Sequence, residues 1–170
     1  TDEIAAGGSR CVKFLDAAGL EHVFNPHMFY TPHFRGGRAK LGFDLRLEEG
    51  AVVGHEWRDG AQPYRVGPSI QIQPDGKFLA GGKHLLDVPV GAWFHVEITC
   101  GLGKQADGTY DLRVTLPGQQ PSEFQSLACG SKQFNAVEWL GLVSLAAEKT
   151  VFYLDNVALS CSEAAEPDGA

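Results

Sequence analysis

Between His55 and Gln73 the chain gathers His55, Arg58, Tyr64, Arg65, Gln71 and Gln73. An imidazole or a phenol can take a proton from carbon beside a carboxylate, while a guanidinium or an amide neutralises that carboxylate. These are the parts of an elimination on an acidic substrate, with His55, Arg58, Tyr64 and Gln71 as its candidates. The plainer reading of the same residues is polar side chains on the wet face of a sheet. The plainer reading is favoured.

Other chemistries find less support. Glycoside hydrolysis needs two carboxyls about 5 Å apart, or about 6.5–9.5 Å with a water between them. Asp44 and Glu48 share a strand face, but i and i+4 stand roughly 13 Å apart, with Arg46 between them. That is a surface charge ladder. His22, His27 and His33 sit in a Pro-broken stretch at spacings that match no zinc motif. Neither Gly-x-Ser-x-Gly nor Cys-x-x-Cys occurs, so an activated serine and a thioredoxin-like thiol pair are unsupported.

The elements that must position these residues are strands. Ala39–Glu48 alternates for its whole length, with Ala39, Leu41, Phe43, Leu45 and Leu47 on one face and Lys40, Asp44, Arg46 and Glu48 on the other. Period two of this kind marks a half-buried antiparallel strand. Shorter patterns give Ser9–Leu15, Val52–Trp57, Tyr64–Gln73, Lys77–Ala80, Trp93–Cys100, Tyr110–Leu116, Phe124–Leu127, Val137–Leu145 and Val151–Leu159. Pro74-Asp-Gly76, Ala106-Asp-Gly108 and Pro117-Gly118 supply turns. Pro26 and Pro32 exclude a helix or a central strand from the aromatic-rich stretch 21–34. Many strands at close turn spacing predict an all-β sandwich of two antiparallel sheets. Trp93 is expected in its core; Trp57, Tyr64 and Trp139 are candidate flat platforms for a ligand.

With 170 residues the chain has enough length for one well-buried core, and its 21 glycines and 9 prolines are spread through it rather than gathered in a linker. Residues 1–8 are expected to be a flexible start, 9–161 the sandwich and 162–170 a flexible tail. The start lacks an initiator Met and a signal-peptide pattern, as expected of a mature or excised chain. A net charge of −7, with no run among its 14 basic residues, excludes a nucleic-acid surface. No apolar run approaches the roughly 20 residues of a membrane helix.

Four cysteines in a Gly-rich β chain suggest an oxidising, extracellular or periplasmic compartment and two disulfides. Strand placement favours Cys11–Cys161, tying the terminal strands, and Cys100–Cys129, closing the excursion after Trp93–Cys100. Asp155 interrupts the last apolar strand, where a buried carboxylate needs a partner.

Four stretches carry a resemblance: Val90-Gly-Ala-Trp-Phe-His-Val-Glu-Ile98, Tyr110-Asp-Leu-Arg-Val114, Gly141-Leu-Val-Ser-Leu145 and Phe152-Tyr-Leu-Asp-Asn-Val157. In these the second half of the chain resembles the concanavalin A-like superfamily, in particular laminin-G-like jelly rolls of extracellular carbohydrate-active proteins. The resemblance implies a jelly-roll sandwich and a non-catalytic module that binds a polysaccharide or oligosaccharide within a secreted glycan-degrading system. It also implies a structural calcium held by Asp155, and no organic cofactor. The outward residues expected to meet the glycan are Asp44, Arg46, His55, Trp57, Gln71 and Gln73. Gln71-Ile-Gln73 is similar to the Gln-Ile-His strand of jelly-roll alginate lyases, with Gln in place of His, so a polysaccharide lyase on the same scaffold is the second reading. A structural or protein-interaction domain of a larger extracellular protein is the third.

Overall fold

A computed structural model describes residues 1–162. The strands are β1 (Val12–Asp16), β2 (His27–Tyr30), β3 (Gly37–Leu47), β4 (Val53–Arg58), β5 (Val66–Ile72) and β6 (Lys77–Ala80), then β7 (Lys83–Asp87), β8 (Trp93–Leu102), β9 (Thr109–Thr115), β10 (Ser122–Ala128), β11 (Trp139–Ser144) and β12 (Thr150–Ser162). They form two six-stranded antiparallel sheets, ordered β1-β12-β3-β8-β9-β10 and β2-β11-β4-β5-β6-β7. The first and last strands lie side by side, with Val12 opposite Leu154. This is the predicted jelly-roll sandwich. No helix among the described residues is long and apolar enough to cross a membrane.

The alternation of β3 is realised as read. Leu41, Phe43, Leu45 and Leu47 are buried, and they share one core with Trp57, Ile72, Phe78 and Leu142 of the other sheet. Burying each such side chain contributes about 1.5–3 kcal/mol. The Tyr110 hydroxyl spans the two layers and donates to the Ser69 carbonyl at 3.2 Å. At Gly67 a Cβ would come within 2.5 Å of the Phe134 ring, so the aromatic closes the core against bare backbone.

The alternation of β4 is the first correction. His55 and Trp57 were expected to face a ligand, yet both point into the core, Trp57 without any exposed surface. Their neighbours Glu56 and Arg58 face outward instead. A Trp side chain carries about 150–250 Å² of surface, so the strand register that hides it prevails. His55 can follow because it finds two hydrogen-bond partners inside. Trp93 errs the other way: it lies half-buried on the outer face of its sheet, its ring 6.5 Å from that of Tyr153.

Two strands escaped the sequence reading, β2 and β7, and each forms an edge. β2 lies between Pro26 and Pro32, where an edge strand tolerates what a central strand does not. The opening residues fold back on the sheet. The Thr1 ammonium donates to the Cys11 carbonyl at 2.7 Å, and the Ala6 and Gly7 amides reach Asp155. At the other end β12 runs on to Ser162, and residues 163–170 of the expected tail lie outside the described residues.

All four cysteines are free thiols. The strand register sets Cys11 and Cys161 apart and corrects that pairing. Cys11 immediately precedes Val12, which faces Leu154 of β12, so continuing the register brings Cys11 opposite Asp155. Cys161 lies farther along β12, opposite Ala39 on its other flank. At about 3.3 Å per residue the stretch from Asp155 to Cys161 spans roughly 17–20 Å, far beyond the Cα reach of a disulfide. Cys100 and Cys129 are different, because both are buried in one neighbourhood: Cys100 Sγ donates to the Thr109 carbonyl at 3.5 Å, and the Cys129 amide donates to the carbonyl of the adjacent Gly108 at 2.9 Å. Each thiol acts on the other, the Cys129 thiol and burial pushing Cys100 up and Cys100 drawing Cys129 down.

Candidate functional site

The outer face of the β2-β11-β4-β5 sheet carries a groove of about 470 Å³, within the range of small-molecule sites. Its walls follow from strand alternation. Glu56 and Arg58 come from β4, Ser69 and Gln71 from β5, Trp139 and Val143 from β11, and His27 and Phe29 from β2. The floor is deepened by two glycines. At Gly54 a Cβ would stand 3.0 Å from Val143, and at Gly141 one would stand 2.5 Å from the Trp139 ring. Trp139 therefore lies across its own strand only because the residue two places on has no side chain.

The aromatics run in series along one wall. Ring centroids are 4.9 Å apart for His22 and Phe24, 5.5 Å for Phe24 and His27, and 5.9 Å for His27 and Phe29. Phe29 is a further 5.9 Å from Trp139. The Arg58 guanidinium then lies over Trp139 at 4.2 Å and over Tyr64 at 4.4 Å. Phe29 and Tyr64 each keep 50% of their surface exposed, and Phe24 keeps 42%. Isolated exposed apolar residues need no explanation, but a contiguous set marks an interaction site.

Polar groups set the rest of the chemistry. Arg58 Nε donates to Glu56 Oε1 at 2.5 Å, and a terminal nitrogen of Arg58 meets the same oxygen. Tyr64 is held over Arg58 by the loop anchored at Asp59. One oxygen of Asp59 accepts the amides of Ala61 and Arg65, and the other accepts Arg65 Nε at 2.5 Å. Burial would raise the Asp59 carboxyl, but those amides and the guanidinium outweigh it and hold it low. Gln71 is exposed and turns its side-chain amide to the groove.

The residues expected to form one binding face are thus divided. Gln71 lies in the groove. Gln73 has passed into the β5–β6 turn, where its backbone N–H donates to the Lys77 carbonyl. His55 and Trp57 are in the core. Asp44 and Arg46 belong to the other sheet, on its outer face. There Asp44 is hydrogen-bonded to His95 Nδ1 and accepts from Asn156 Nδ2, both at 2.6 Å, while Arg46 Nε donates to Glu48 at 3.1 Å. Sequence patterns place residues on faces but cannot say which strands share a sheet.

The four elimination candidates are also only partly assembled. Arg58 and Gln71 line the groove and Tyr64 packs on Arg58, while His55 meets the groove only at its floor, 2% exposed and with both ring nitrogens hydrogen-bonded inside. Asp155, expected to hold calcium, accepts the amides of Ala6 at 2.9 Å, Gly7 at 3.3 Å and Asn156 at 2.8 Å. Its oxygens face N–H groups, and no cluster of three His, Cys, Asp or Glu side chains suited to a metal occurs among the described residues.

Sequence reasoning missed Phe29, Glu56 and Phe24, and kept Trp139 only as a platform candidate. The signal was present in the stretch 21–34, whose aromatics show no core periodicity, and in the alternation of Trp139, Gly141 and Val143 against Leu140 and Leu142.

No family model and no curated protein matches the chain. Solved structures do. A sialidase superposes on 91% of this chain with a TM-score of 0.65 at 15% identity, and the chain spans only 16% of that protein. An endo-β-1,4-glucuronan lyase from the fungus Trichoderma reesei matches 95% of this chain and 85% of its own, with a TM-score of 0.63 and 14% identity. A PL-14 alginate lyase from Aplysia kurodai matches 92% and 85%, with a TM-score of 0.63 and 12% identity. At such identities the likeness establishes the fold: a jelly-roll β-sandwich of the kind found in carbohydrate-active proteins.

Proposed function

We propose that the chain is a non-catalytic glycan-binding module of a secreted glycan-degrading system, binding its ligand in the groove on the β2-β11-β4-β5 sheet. The observation that carries this reading is the aromatic wall from Phe24 to Trp139 facing the exposed amide of Gln71 and the side chain of Ser69. Sugar rings present C–H faces that pack on aromatic rings and hydroxyls that need hydrogen-bond partners, and the groove offers both. The structural neighbours, a glucuronan lyase, an alginate lyase and a sialidase, support a saccharide ligand. An open groove of this kind supports micromolar-to-millimolar binding, roughly 4–8 kcal/mol.

One observation favours a second reading, a polysaccharide lyase: Tyr64 lies against Arg58 at the groove end. Against it stand the inward His55 and the ion pair that occupies Arg58. One experiment separates the two. Binding is followed by isothermal titration with a panel of purified oligosaccharides, while the same mixtures are watched for the ultraviolet absorbance of unsaturated product. Binding without product is expected. Product formation would establish the lyase, and absence of both would remove the glycan reading.

A further inference from the structure

We infer that Glu56 sets the charge class of the ligand: by holding Arg58 it makes the groove a site for neutral saccharide chains rather than polyuronates. The inference rests on the glycan-binding reading above and narrows it.

Among the described residues that line the groove, Arg58 is the one Arg or Lys. A polyuronate carries a carboxylate on every ring, and recognition of a carboxylate favours the paired N–H edge of a guanidinium. On Arg58 one of the two such edges, that of Nε and a terminal nitrogen, is already used, and Glu56 stands beside the other. Nε and a terminal nitrogen both meet Glu56 Oε1. The guanidinium also lies over the rings of Trp139 and Tyr64, so it cannot swing away without uncovering them. Both members of the pair are half-buried, with side-chain exposures of 32% and 29%, so water screens the pair less than it would at an open surface. A carboxylate entering the groove would meet Glu56 beside the cation it seeks. His27 has one ring nitrogen already engaged, Nδ1 meeting Asn25 Oδ1 at 2.9 Å. The net charge of −7 adds no attraction.

A neutral chain meets none of these obstacles. Its hydroxyls can use the Gln71 amide, the Ser69 hydroxyl, the second oxygen of Glu56 and the remaining N–H groups of Arg58, while its rings pack on the aromatic wall. Glu56 is then a specificity-determining residue, acting through the charge it cancels.

The test is titration of the whole chain and of Glu56→Gln with four hexasaccharides: β-1,4-glucan, β-1,4-xylan, oligoglucuronate and oligoguluronate, each at low and at physiological salt. The wild-type chain is expected to bind at least one neutral hexamer with salt-independent affinity, and either uronate at least about tenfold more weakly. Glu56→Gln, which keeps the shape and removes the charge, is expected to gain about tenfold on the uronates in a salt-sensitive manner, and so to raise the ratio of uronate to neutral affinity. A wild-type preference for uronates, or a folded Glu56→Gln with no gain on them, overturns the inference and leaves glycan binding intact. Failure of all four hexamers to bind either protein overturns both readings. If Glu56→Gln does not fold, Glu56→Ala and the wild-type ranking decide by the same outcomes.

Discussion

Trp57 Nε1 donates to His55 Nε2 at 2.9 Å, and His55 Nδ1 in turn donates to the Gly141 carbonyl at 2.7 Å. The first bond requires an unprotonated Nε2 and the second a protonated Nδ1, so the core holds a neutral imidazole of one tautomer. This short relay ties β4 to β11, the two strands that present Arg58 and Trp139 to the groove.

Trp57→Ala is therefore expected to unfold or severely weaken the domain, by about 3–5 kcal/mol, as a large cavity opens and His55 loses its donor. Denaturant melts followed by circular dichroism measure this. Unchanged stability with altered glycan binding would return Trp57 to the surface.

The buried imidazole makes stability depend on pH. Burial, partly opposed by the Gly141 hydrogen bond, drives the His55 pKa from 6.5 down to about 4. Below pH 6.5 the unfolded chain binds a proton that the folded chain refuses until about pH 4. Stability is thus fully present above pH 6.5 and falls across this window, by ~3 kcal/mol at most. Melting temperatures measured between pH 7 and pH 4 should decline in the wild type and decline less in His55→Gln. Equal slopes in the two proteins would refute the assignment.

The groove residues should separate binding from folding. Gln71→Ala is expected to weaken glycan binding by roughly 3- to 10-fold, in keeping with the loss of about one hydrogen bond, and to leave the melting temperature unchanged. Gly141→Ala should weaken binding too, because its methyl group cannot coexist with Trp139 lying across the strand. Arg46→Ala, on the opposite sheet, serves as a control and should bind as the wild type does.

Oxidation should join Cys100 to Cys129 and leave Cys11 and Cys161 unpaired with each other. The new bond would close a roughly 30-residue loop, worth about 3–4 kcal/mol in the chain-entropy model. Non-reducing peptide mapping identifies the pairing, and a linked Cys11–Cys161 peptide would contradict the strand register.

Asp155 is expected to act as an acceptor for three backbone amides. Asp155→Ala should cost about 1–2 kcal/mol through the freed N–H groups of Ala6, Gly7 and Asn156, while EDTA leaves the wild-type melting temperature unchanged. A melting temperature that falls on chelation and recovers with calcium would instead place the ion at this carboxylate.

Much of this protein was legible in its residues. The period-two pattern from Ala39 to Leu47 dictated a strand and its buried face, because alternate side chains on a pleated backbone must point to opposite sides. Many strands with turn residues at close spacing led to the two-sheet sandwich. Two matters were settled only by the tertiary structure. The inward turn of His55 depends on the Gly141 carbonyl, which lies far along the chain on a neighbouring strand and leaves no mark on the local pattern. The separation of Asp44 and Arg46 from Gln71 depends on which strands share a sheet. Alternation records only whether a side chain faces the core, and it reads the same in either layer. The groove arises where β2, β11, β4 and β5 are brought together, so its aromatic wall exists only once distant segments have paired.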